Sequence, residues 1–479
     1  MRRAGASFWK TPLIAFILTA LTGMRGAIDD GVLAAMRDAG LAHLLAISGL
    51  HIGLFAAIVF FSVRALLALI EPVALRHPIK KWAAVAALAG TAFYLLLSGM
   101  TIPTQRAFLM GALVIVGILL DRSALTMRAV AWAAATVLIV QPESLLGPSF
   151  QMSFAAVICL VATYEALRDR DTPRLDRRTA ARRVLAYFAG VMLVTVVATL
   201  ATAPFAIYHF NRVAVFGLAA NFLAVPITAT WILPWGIVAL VLMPFGLEGW
   251  ALAPMGWGID GVIAIARTVA AWPGAVELLP AMPMLGLALT AFGGLWLCLW
   301  RHAWRLLGII PFIAGLASTP LGERADILVD GEAKIFAVRL ADDELALSST
   351  RTARYVGESW LRRNGQNASV TWPGGEAALR CDTSGCIYRT EGRVVALVYD
   401  ERALAEDCRI ADVVVSMVPV RGDCPSAKAV IDRFDIWRNG AHAVYLDGDA
   451  IVVESVASRH GTRPWSTVRK TGGKKKDKP

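Results

Sequence analysis

Hydrophobic residues form long blocks over the first two thirds of the chain, between residues 12 and 318. Most blocks approach the roughly 20 apolar residues that a helix needs to cross the hydrocarbon core of a bilayer. The block 213–247 is too long for one span and contains Pro226 and Pro234, so we expect either two spans or one span and a re-entrant piece. The blocks lie at 43–70, 82–98, 107–120, 128–141, 149–165, 184–207, 213–247, 251–271, 284–300 and 305–318. This pattern predicts an all-α polytopic membrane bundle of about nine to eleven spans over residues 43–318.

The pattern differs at both ends of the chain. Residues 1–42 predict an amphipathic or interfacial segment, with a helix pair over 12–40 and no small-residue cleavage site; an export signal is the alternative. Residues 319–465 predict a small α/β domain, and 466–479 a disordered basic tail. Strands are expected at 326–329, 335–340, 394–399, 413–418, 443–446 and 451–456, with helices at 353–363 and 426–437.

Charged side chains are scarce and unevenly distributed. Only 17% of the residues are charged, against roughly 25% in soluble domains, which excludes a soluble globular protein. Residues 1–318 contain 23 Lys and Arg against 13 Asp and Glu, whereas the remainder contains 24 against 23. Such an excess is typical of cytoplasmic loops, with nucleic-acid binding as the weaker alternative. The arginine-rich segment 168–183 is therefore predicted to be cytoplasmic; if 213–247 is a single crossing, Arg301 and Arg305 share its side and the C-terminal domain is periplasmic.

The cysteines suggest which compartment holds the C-terminal domain. Cys159 and Cys298 lie in apolar blocks, whereas the other four lie in the C-terminal domain. In an oxidising compartment these four can form two disulfides, with free thiols and a metal site as alternatives. Their spacings lack the two-residue knuckle typical of structural zinc. The candidate disulfide residues are Cys381, Cys386, Cys408 and Cys424.

Polar residues within the apolar blocks are candidates for function, because the bilayer makes each of them costly. The densest group runs His43-Leu-Leu-Ala-Ile-Ser48-Gly49-Leu-His51. Ser48 and His51 share a helix face, and Gly49 permits a kink or a close helix approach. The group could be two structural histidines bonded between helices, or it could line a polar passage. A Ser/His nucleophile is disfavoured because no carboxylate is close in sequence.

Four further residues extend this group into a candidate path. Arg106 is on the outer side by span counting, where it would either snorkel to the interface or contact a phosphate. Gln151 begins a span on the same side, and Arg212 and Asn221 also begin there. We therefore predict an outward-facing vestibule lined by these residues, with chance clustering in loops as the alternative.

These motifs resemble those of the ComEC family, the inner-membrane DNA channels of bacterial competence. The run from His43 to Ile52 is similar to the family signature, and the resemblance covers roughly residues 12–318. Later blocks follow in the expected order: Pro103-Thr-Gln-Arg-Ala-Phe-Leu-Met110, Gln141-Pro142, Ser149-Phe-Gln-Met-Ser-Phe-Ala155 and Asn221-Phe-Leu-Ala-Val-Pro226. The resemblance implies a channel that passes single-stranded DNA from the periplasm to the cytoplasm during natural transformation.

The resemblance also implies four partners: single-stranded DNA, the lipid bilayer of the inner membrane, a periplasmic DNA receptor and a cytoplasmic helicase or ATPase. The chain has no Walker-type Gly-x4-Gly-Lys-Ser/Thr motif, so the energy for transfer must come from a partner ATPase or from the proton gradient. No cofactor is expected, and the channel could be a monomer or a homodimer. Trp231, Trp235 and Trp257 could stack DNA bases, although interfacial belts account for most such residues.

The chain departs from the full family pattern in two places. Longer members carry a soluble N-terminal domain that has no counterpart here, so we expect a shortened or mis-started form. Many members end in a metallo-β-lactamase-like domain with a His-x-His-x-Asp-His motif, but only His442 and His460 follow residue 319. Catalytic zinc needs at least three ligands, so we interpret the C-terminal domain as a scaffold without metal and expect no nuclease or other enzyme activity.

The alternative function is a membrane transporter or a membrane-embedded hydrolase of a small or unknown substrate on the same scaffold. A transporter of this kind should show inverted repeats, and we find no convincing repeat between 43–165 and 184–300. A hydrolase should show paired acids or a metal triad, whereas most of the few acids in this region lie at predicted span ends. The sequence therefore favours the DNA channel.

Overall fold

The computed structural model describes residues 28–45, 49–100, 102–121, 126–168, 180–370, 379–390, 392–447 and 450–461. The chain divides into two compact units. The first contains the chain up to Glu277 together with Met284–Ala317, and the second contains Leu278–Pro283 together with the chain from Ser318 onward. The first unit is helical and the second is built around two β-sheets.

The helices of the first unit follow the apolar blocks. In chain order they are α1 Asp30–Asp38, α2 Gly49–Ala68, α3 Glu71–Arg76, α4 Ile79–Leu97, α5 Ile102–Leu119, α6 Met127–Val140, α7 Pro148–Arg168, α8 Ala180–Phe210, α9 Gly217–Ile227, α10 Leu233–Leu242, α11 Gly249–Ala270, α12 Met284–Leu299 and α13 Ile309–Ala317. Short strands β1 Arg212–Ala214 and β2 Val276–Leu278 follow α8 and α11.

Among the described residues, six helices are long and apolar enough to cross a membrane. They are His51–Ala68, Ile79–Leu97, Pro148–Arg168, Arg182–Phe210, Gly217–Phe245 and Gly249–Ala270. Four more apolar helices are shorter: Thr104–Leu119, Met127–Val140, Met284–Leu299 and Ala303–Ala317. A helical chain with membrane-length apolar helices is therefore confirmed, whereas the predicted nine to eleven spans are not.

The block 213–247 forms one continuous helix, Gly217–Phe245, which joins α9 to α10. Pro226 and Pro234 each remove a backbone donor, and the helix accommodates them through a π-helical turn at Thr228–Ile232. In that wide turn the amide of Leu233 donates to the carbonyl of Thr228. The expectation of two spans or a re-entrant piece is therefore wrong.

Contacts between helices run in a closed circuit. In order around the circuit the helices are α2, α5, α6, α7, α8, the continuous helix of α9 and α10, and α2 again. Helix α1 joins this unit by its apolar face, where fully buried Met36 packs with Met255 and Ile259 of α11. The described part of the N-terminal segment therefore packs its apolar side against α11.

The second unit contains two five-stranded sheets. One has the order β12-β11-β3-β4-β5 and is antiparallel; the other has the order β10-β9-β8-β7-β6 and is parallel only between β8, β9 and β10. The strands are β3 Ile327–Val329, β4 Phe336–Arg339, β5 Leu345–Leu347, β6 Leu379–Cys381, β7 Gly385–Thr390, β8 Arg393–Val398, β9 Val413–Ser416, β10 Ala429–Ile431, β11 His442–Asp447 and β12 Ala450–Ser455. The helices are α14 Arg354–Asn364, α15 Leu404–Ile410, α16 Arg433–Asn439 and α17 Val456–His460.

Alternating side chains place the main core of this unit between the two sheets. Phe336 and Val338 of β4 and Leu397 of β8 belong to one fully buried cluster. The opposite faces carry separate clusters under α14 and α15. The second unit is therefore layered as helix, sheet, sheet, helix, consistent with the expected α/β domain.

The predicted helix over 426–437 is wrong in its first half. Ala429–Ile431 forms β10, which pairs in parallel with β9, and α16 begins only at Arg433. The side chain of Asp432 accepts the amide of Asp435, and the side chain of Asp435 accepts the amide of Asp432. This capping box fixes the helix start, so the preceding β-branched residues join the sheet.

Candidate functional site

Hydrogen bonds bring several polar helix termini to the same end of the first unit. The Nε2 of Gln141, after α6, donates to the Oε1 of Gln105 in the first turn of α5 at 3.0 Å. The Nε2 of His209, at the end of α8, lies 2.8 Å from the Oε1 of Gln151, in the first turn of α7. We call this end of the bundle the polar end.

The starts of α2 and α9 belong to the same end. Helices α2 and α4 pack on each other and a short connection joins them, so the start of α2 lies beside the end of α4 and the start of α5. Helix α9 begins a few residues after α8 ends. The polar end therefore includes His51 of α2, Arg106 of α5, Gln151 of α7, His209 of α8 and Asn221 of α9.

The two histidines of the first motif lie close together. His43 is in a short 3₁₀ turn at Ala42–Leu45, and His51, only 2% exposed, lies in the first turn of α2. The two imidazoles are near enough to interact electrostatically. A side chain at Gly49 would meet no described atom within 4 Å, so no close helix approach occurs there. Ser48 lies outside the described residues.

Arg106 is buried within the helices, with only 5% of its surface exposed. Its Nε has no hydrogen-bond partner among the described residues. Snorkelling would expose the guanidinium at the interface, so this burial contradicts that alternative. The structure leaves a cationic group inside the bundle with unused donor capacity.

Gln151 is held on both sides of its amide. Its Nε2 donates to the carbonyl of Leu145 at 3.0 Å, while its Oε1 bonds to His209. The contact between His209 and Gln151 joins residues that are 58 positions apart in the chain. The pair ties α7 to α8 at the polar end.

Arg212 differs from Arg106 because it forms an ion pair with Asp38 at the end of α1. The pair lies 174 residues apart in the chain, and the sequence offered no signal for it. Arg212 was predicted to act near the mouth of a path, but the structure gives it a role in fixing α1 to the start of β1. Its charge is compensated before any ligand arrives.

Two buried asparagines complete the polar end. Asn221 donates from Nδ2 to the carbonyl of Gly217 at 2.8 Å, and its Oδ1 has no partner among the described residues. Asn211 adopts a left-handed backbone conformation with φ of 55°, and its buried Nδ2 is also without a partner in the described chain. Buried polar atoms are usually hydrogen-bonded, so these groups are available to water or a ligand.

The predicted stacking tryptophans do come together. A cavity of about 690 Å³ opens between α10 and α11, and its lining contains no lysine or arginine. The lining residues are Trp231, Trp235, Gly246, Leu247, Gly249, Trp250, Ala253, Pro254 and Trp257. An apolar lining without cations suits an interfacial aromatic cluster at least as well as a path for a polyanion.

In the second unit, disulfides join Cys381 to Cys386 and Cys408 to Cys424. The Cys381–Cys386 bridge connects directly opposite residues of β6 and β7. No group of three or more His, Cys, Asp or Glu side chains in the described ranges is arranged to hold a metal ion. His442, in β11, is buried, and this burial lowers its pKa below the usual range.

The chain matches the competence protein family over residues 20–304. It is 27% identical over 229 residues to ComE operon protein 3 of Bacillus subtilis, covering 47% of this chain and 26% of that protein. It is 36% identical over 140 residues to Competence protein ComA of Neisseria gonorrhoeae, covering 29% of this chain and 20% of that protein. It is 29% identical over 248 residues to Recombination protein 2 of Haemophilus influenzae, covering 51% and 30%.

The matching regions span between 20% and 30% of the length of these three relatives. No solved structure matches the chain. The likeness of the second unit to a metallo-β-lactamase therefore stays a prediction.

Proposed function

Because the chain belongs to the ComEC family of competence proteins, which act in DNA uptake for transformation, we propose that its helical unit is an inner-membrane channel. In this proposal the channel passes single-stranded DNA from the periplasm to the cytoplasm. A periplasmic receptor delivers the DNA, and a cytoplasmic helicase or ATPase draws the strand inward. The DNA-binding part is the polar end of the helical unit.

The main observation in support is the set of buried, unsatisfied polar atoms at that end. The Arg106 Nε, the Asn211 Nδ2 and the Asn221 Oδ1 are buried without partners among the described residues. Leaving a polar atom unpaired away from water costs about 1–3 kcal/mol. Such groups persist in apolar helices where they serve a substrate or a water-filled passage.

The chemistry of these groups fits a nucleic-acid strand. A guanidinium offers directional donors to phosphate oxygens. Amide side chains can donate to phosphates or exchange hydrogen bonds with base edges. Arg106 and Asn221 lie on helices of the closed circuit, and a helix satisfies its own backbone hydrogen bonds, as a segment that crosses a bilayer must.

The ion pair between Arg301 and Glu165 supports the orientation of this channel. The Nη2 of Arg301, beyond the end of α12, lies 3.0 Å from the Oε2 of Glu165, near the end of α7. The arginine-rich segment 168–183 follows α7 directly, so Arg301 lies on the side of that segment. By the excess of basic residues in cytoplasmic loops, we assign this side to the cytoplasm and the polar end to the periplasm.

The same argument supports a periplasmic second unit. Helices α12 and α13 form an antiparallel hairpin: Gly293 faces Gly308 and Phe312 near its bend, and Gly315 faces Gly286 further along. The chain therefore leaves the hairpin at the end opposite Arg301. The two disulfides of the second unit agree with an oxidising compartment. We propose that this unit has no enzymatic role in DNA transfer.

The proposal is tested by following fluorescent double-stranded DNA in cells with and without the gene. Capture in the periplasm and DNase-resistant DNA in the cytoplasm are scored separately. We expect deletion to leave periplasmic foci intact and to abolish cytoplasmic DNA. Unchanged cytoplasmic DNA would contradict the channel and favour a transporter or hydrolase of another substrate.

The orientation is tested independently of DNA transfer. Single cysteines placed at Glu323 and at His302, both exposed positions, in a chain otherwise free of unpaired thiols, are treated with a membrane-impermeant maleimide in intact cells. We expect labelling at position 323 and none at position 302. The reverse pattern would place the second unit in the cytoplasm.

A further inference from the structure

Two cysteines from distant parts of the chain meet inside the first unit. Cys159 of α7 and Cys298 of α12 are half-buried, and their Sγ atoms lie 3.5 Å apart across the helix interface. They are separated by 139 residues in the chain. The other four cysteines are already joined in the second unit, so this pair holds the free thiols of the protein.

The register of the two helices is fixed by a second contact. Beyond the thiols, toward the end of both helices, Arg301 pairs with Glu165. Because residue numbers rise together in the two contacts, α7 and α12 run parallel. The ion pair therefore fixes how α7 and α12 are aligned along their length, and this alignment keeps the two sulfur atoms close to each other.

We propose that Cys159 and Cys298 form a dithiol modification site that takes two-electron thiol oxidants of the azo class and closes into a disulfide. Two S–H bonds break and one S–S bond forms. Both hydrogens, as two protons and two electrons, pass to the azo compound, which becomes a hydrazine. The sulfur atoms approach by about 1.5 Å to reach the usual bond length of roughly 2.05 Å. The closed bridge joins α7 covalently to α12.

Closure has a defined structural consequence. Helix α7 carries Gln151 at the polar end, and α12 leads into the hairpin with α13. A bridge at Cys159, in the middle of α7, prevents these helices from sliding past each other. Oxidation of this site therefore cross-links two helices of the first unit. This chemistry does not depend on DNA being the substrate.

The test uses the purified full-length chain in lipid nanodiscs treated with diamide. Alkylation of remaining thiols, proteolysis and mass spectrometry identify the linked peptides. We expect one new linkage, between Cys159 and Cys298, with loss of both alkylatable thiols. Two alkylatable thiols after treatment, or a linkage only between separate chains, would overturn the proposal.

A matched control keeps the number of thiols constant. The double variant Cys159→Ser and Thr163→Cys moves one thiol by about one helical turn, about 6 Å along α7. We expect it to remain alkylatable under conditions that close the natural pair. Equal closure in this variant would show that helix mobility, rather than the geometry of the pair, controls the reaction. Size-exclusion profiles of both proteins establish that they are folded.

Discussion

Replacing Arg106 with alanine should reduce DNA transfer without reducing the stability of the protein. Arg106 is 5% exposed and its Nε lacks a partner among the described residues. An arginine at the centre of a membrane helix costs about 2.5–3.5 kcal/mol on biological insertion scales, and Arg106, in the second turn of α5, bears part of this cost. Alanine removes this cost, so we expect the variant to be at least as stable as the natural protein.

The effect on transfer follows from the lost contact. A hydrogen bond to a charged group is worth about 1.5–3 kcal/mol. If one such bond to a phosphate stabilises the passing strand, its loss should lower transfer by about 10- to 150-fold. A variant that keeps or gains stability but transfers less DNA identifies an arginine that binds a ligand, whereas loss of both identifies an arginine that stabilises the fold.

The assay measures DNase-resistant fluorescent DNA in the cytoplasm at matched protein level, and thermal unfolding in detergent. Arg128→Ala is the control, because Arg128 is exposed in the first turn of α6, at the end opposite the polar end. Unchanged transfer in the Arg106 variant would refute the phosphate contact. Lower stability together with lower transfer would instead identify Arg106 as a structural residue.

Three further changes test the packing and the charges. Gly315→Ala should destabilise the α12–α13 hairpin by about 1–3 kcal/mol, because the added carbon would overlap the side-chain oxygen of Thr290. Gly294→Ala, whose added carbon would lie 3.9 Å from its nearest neighbour, should be tolerated in thermal unfolding. Arg212→Ala and Asp38→Ala should each weaken the docking of α1, and a double-mutant cycle should give a coupling of about 1 kcal/mol; additive effects would contradict the ion pair. Burial lowers the pKa of His442, so the unfolded state takes up a proton first and the second unit should lose stability as the pH falls below about 6.5. Hydrogen exchange of the β11 amides in the full chain should show this loss, and His442→Gln should reduce it.

The helices were predictable because the apolar blocks are apolar on all sides, whereas a helix of a soluble protein is usually apolar along one face only. The composition of the blocks gives their positions, and the described helices follow them closely. The sequence did not predict how the helix passes Pro226 and Pro234. A proline removes a donor wherever it occurs, but the π turn at Thr228–Ile232 recovers the hydrogen bonding through a local widening of the helix that the apolar pattern does not encode.

The sheets of the second unit were predicted less completely. Strands β3, β4, β8, β9, β11 and β12 were expected from β-branched runs, whereas β5, β6 and β7 were not. Strand β7 contains Gly385, Cys386 and Arg389, which have little apolar alternation. It is held by pairing with β6 and β8 and by the Cys381–Cys386 bridge. Such a strand depends on its neighbours, so a local pattern could not predict it.

Arg106 and Arg212 show what the sequence could and could not establish about the candidate site. Both arginines follow apolar blocks on the same predicted side, and both were expected to serve one path. The structure compensates Arg212 with Asp38 and buries Arg106 with unused donor capacity. A charge that is already paired must give up its partner before it can bind a phosphate, whereas an unpaired one gains a partner on binding. Of the two arginines, Arg106 is therefore the one whose retention in an apolar helix calls for a ligand.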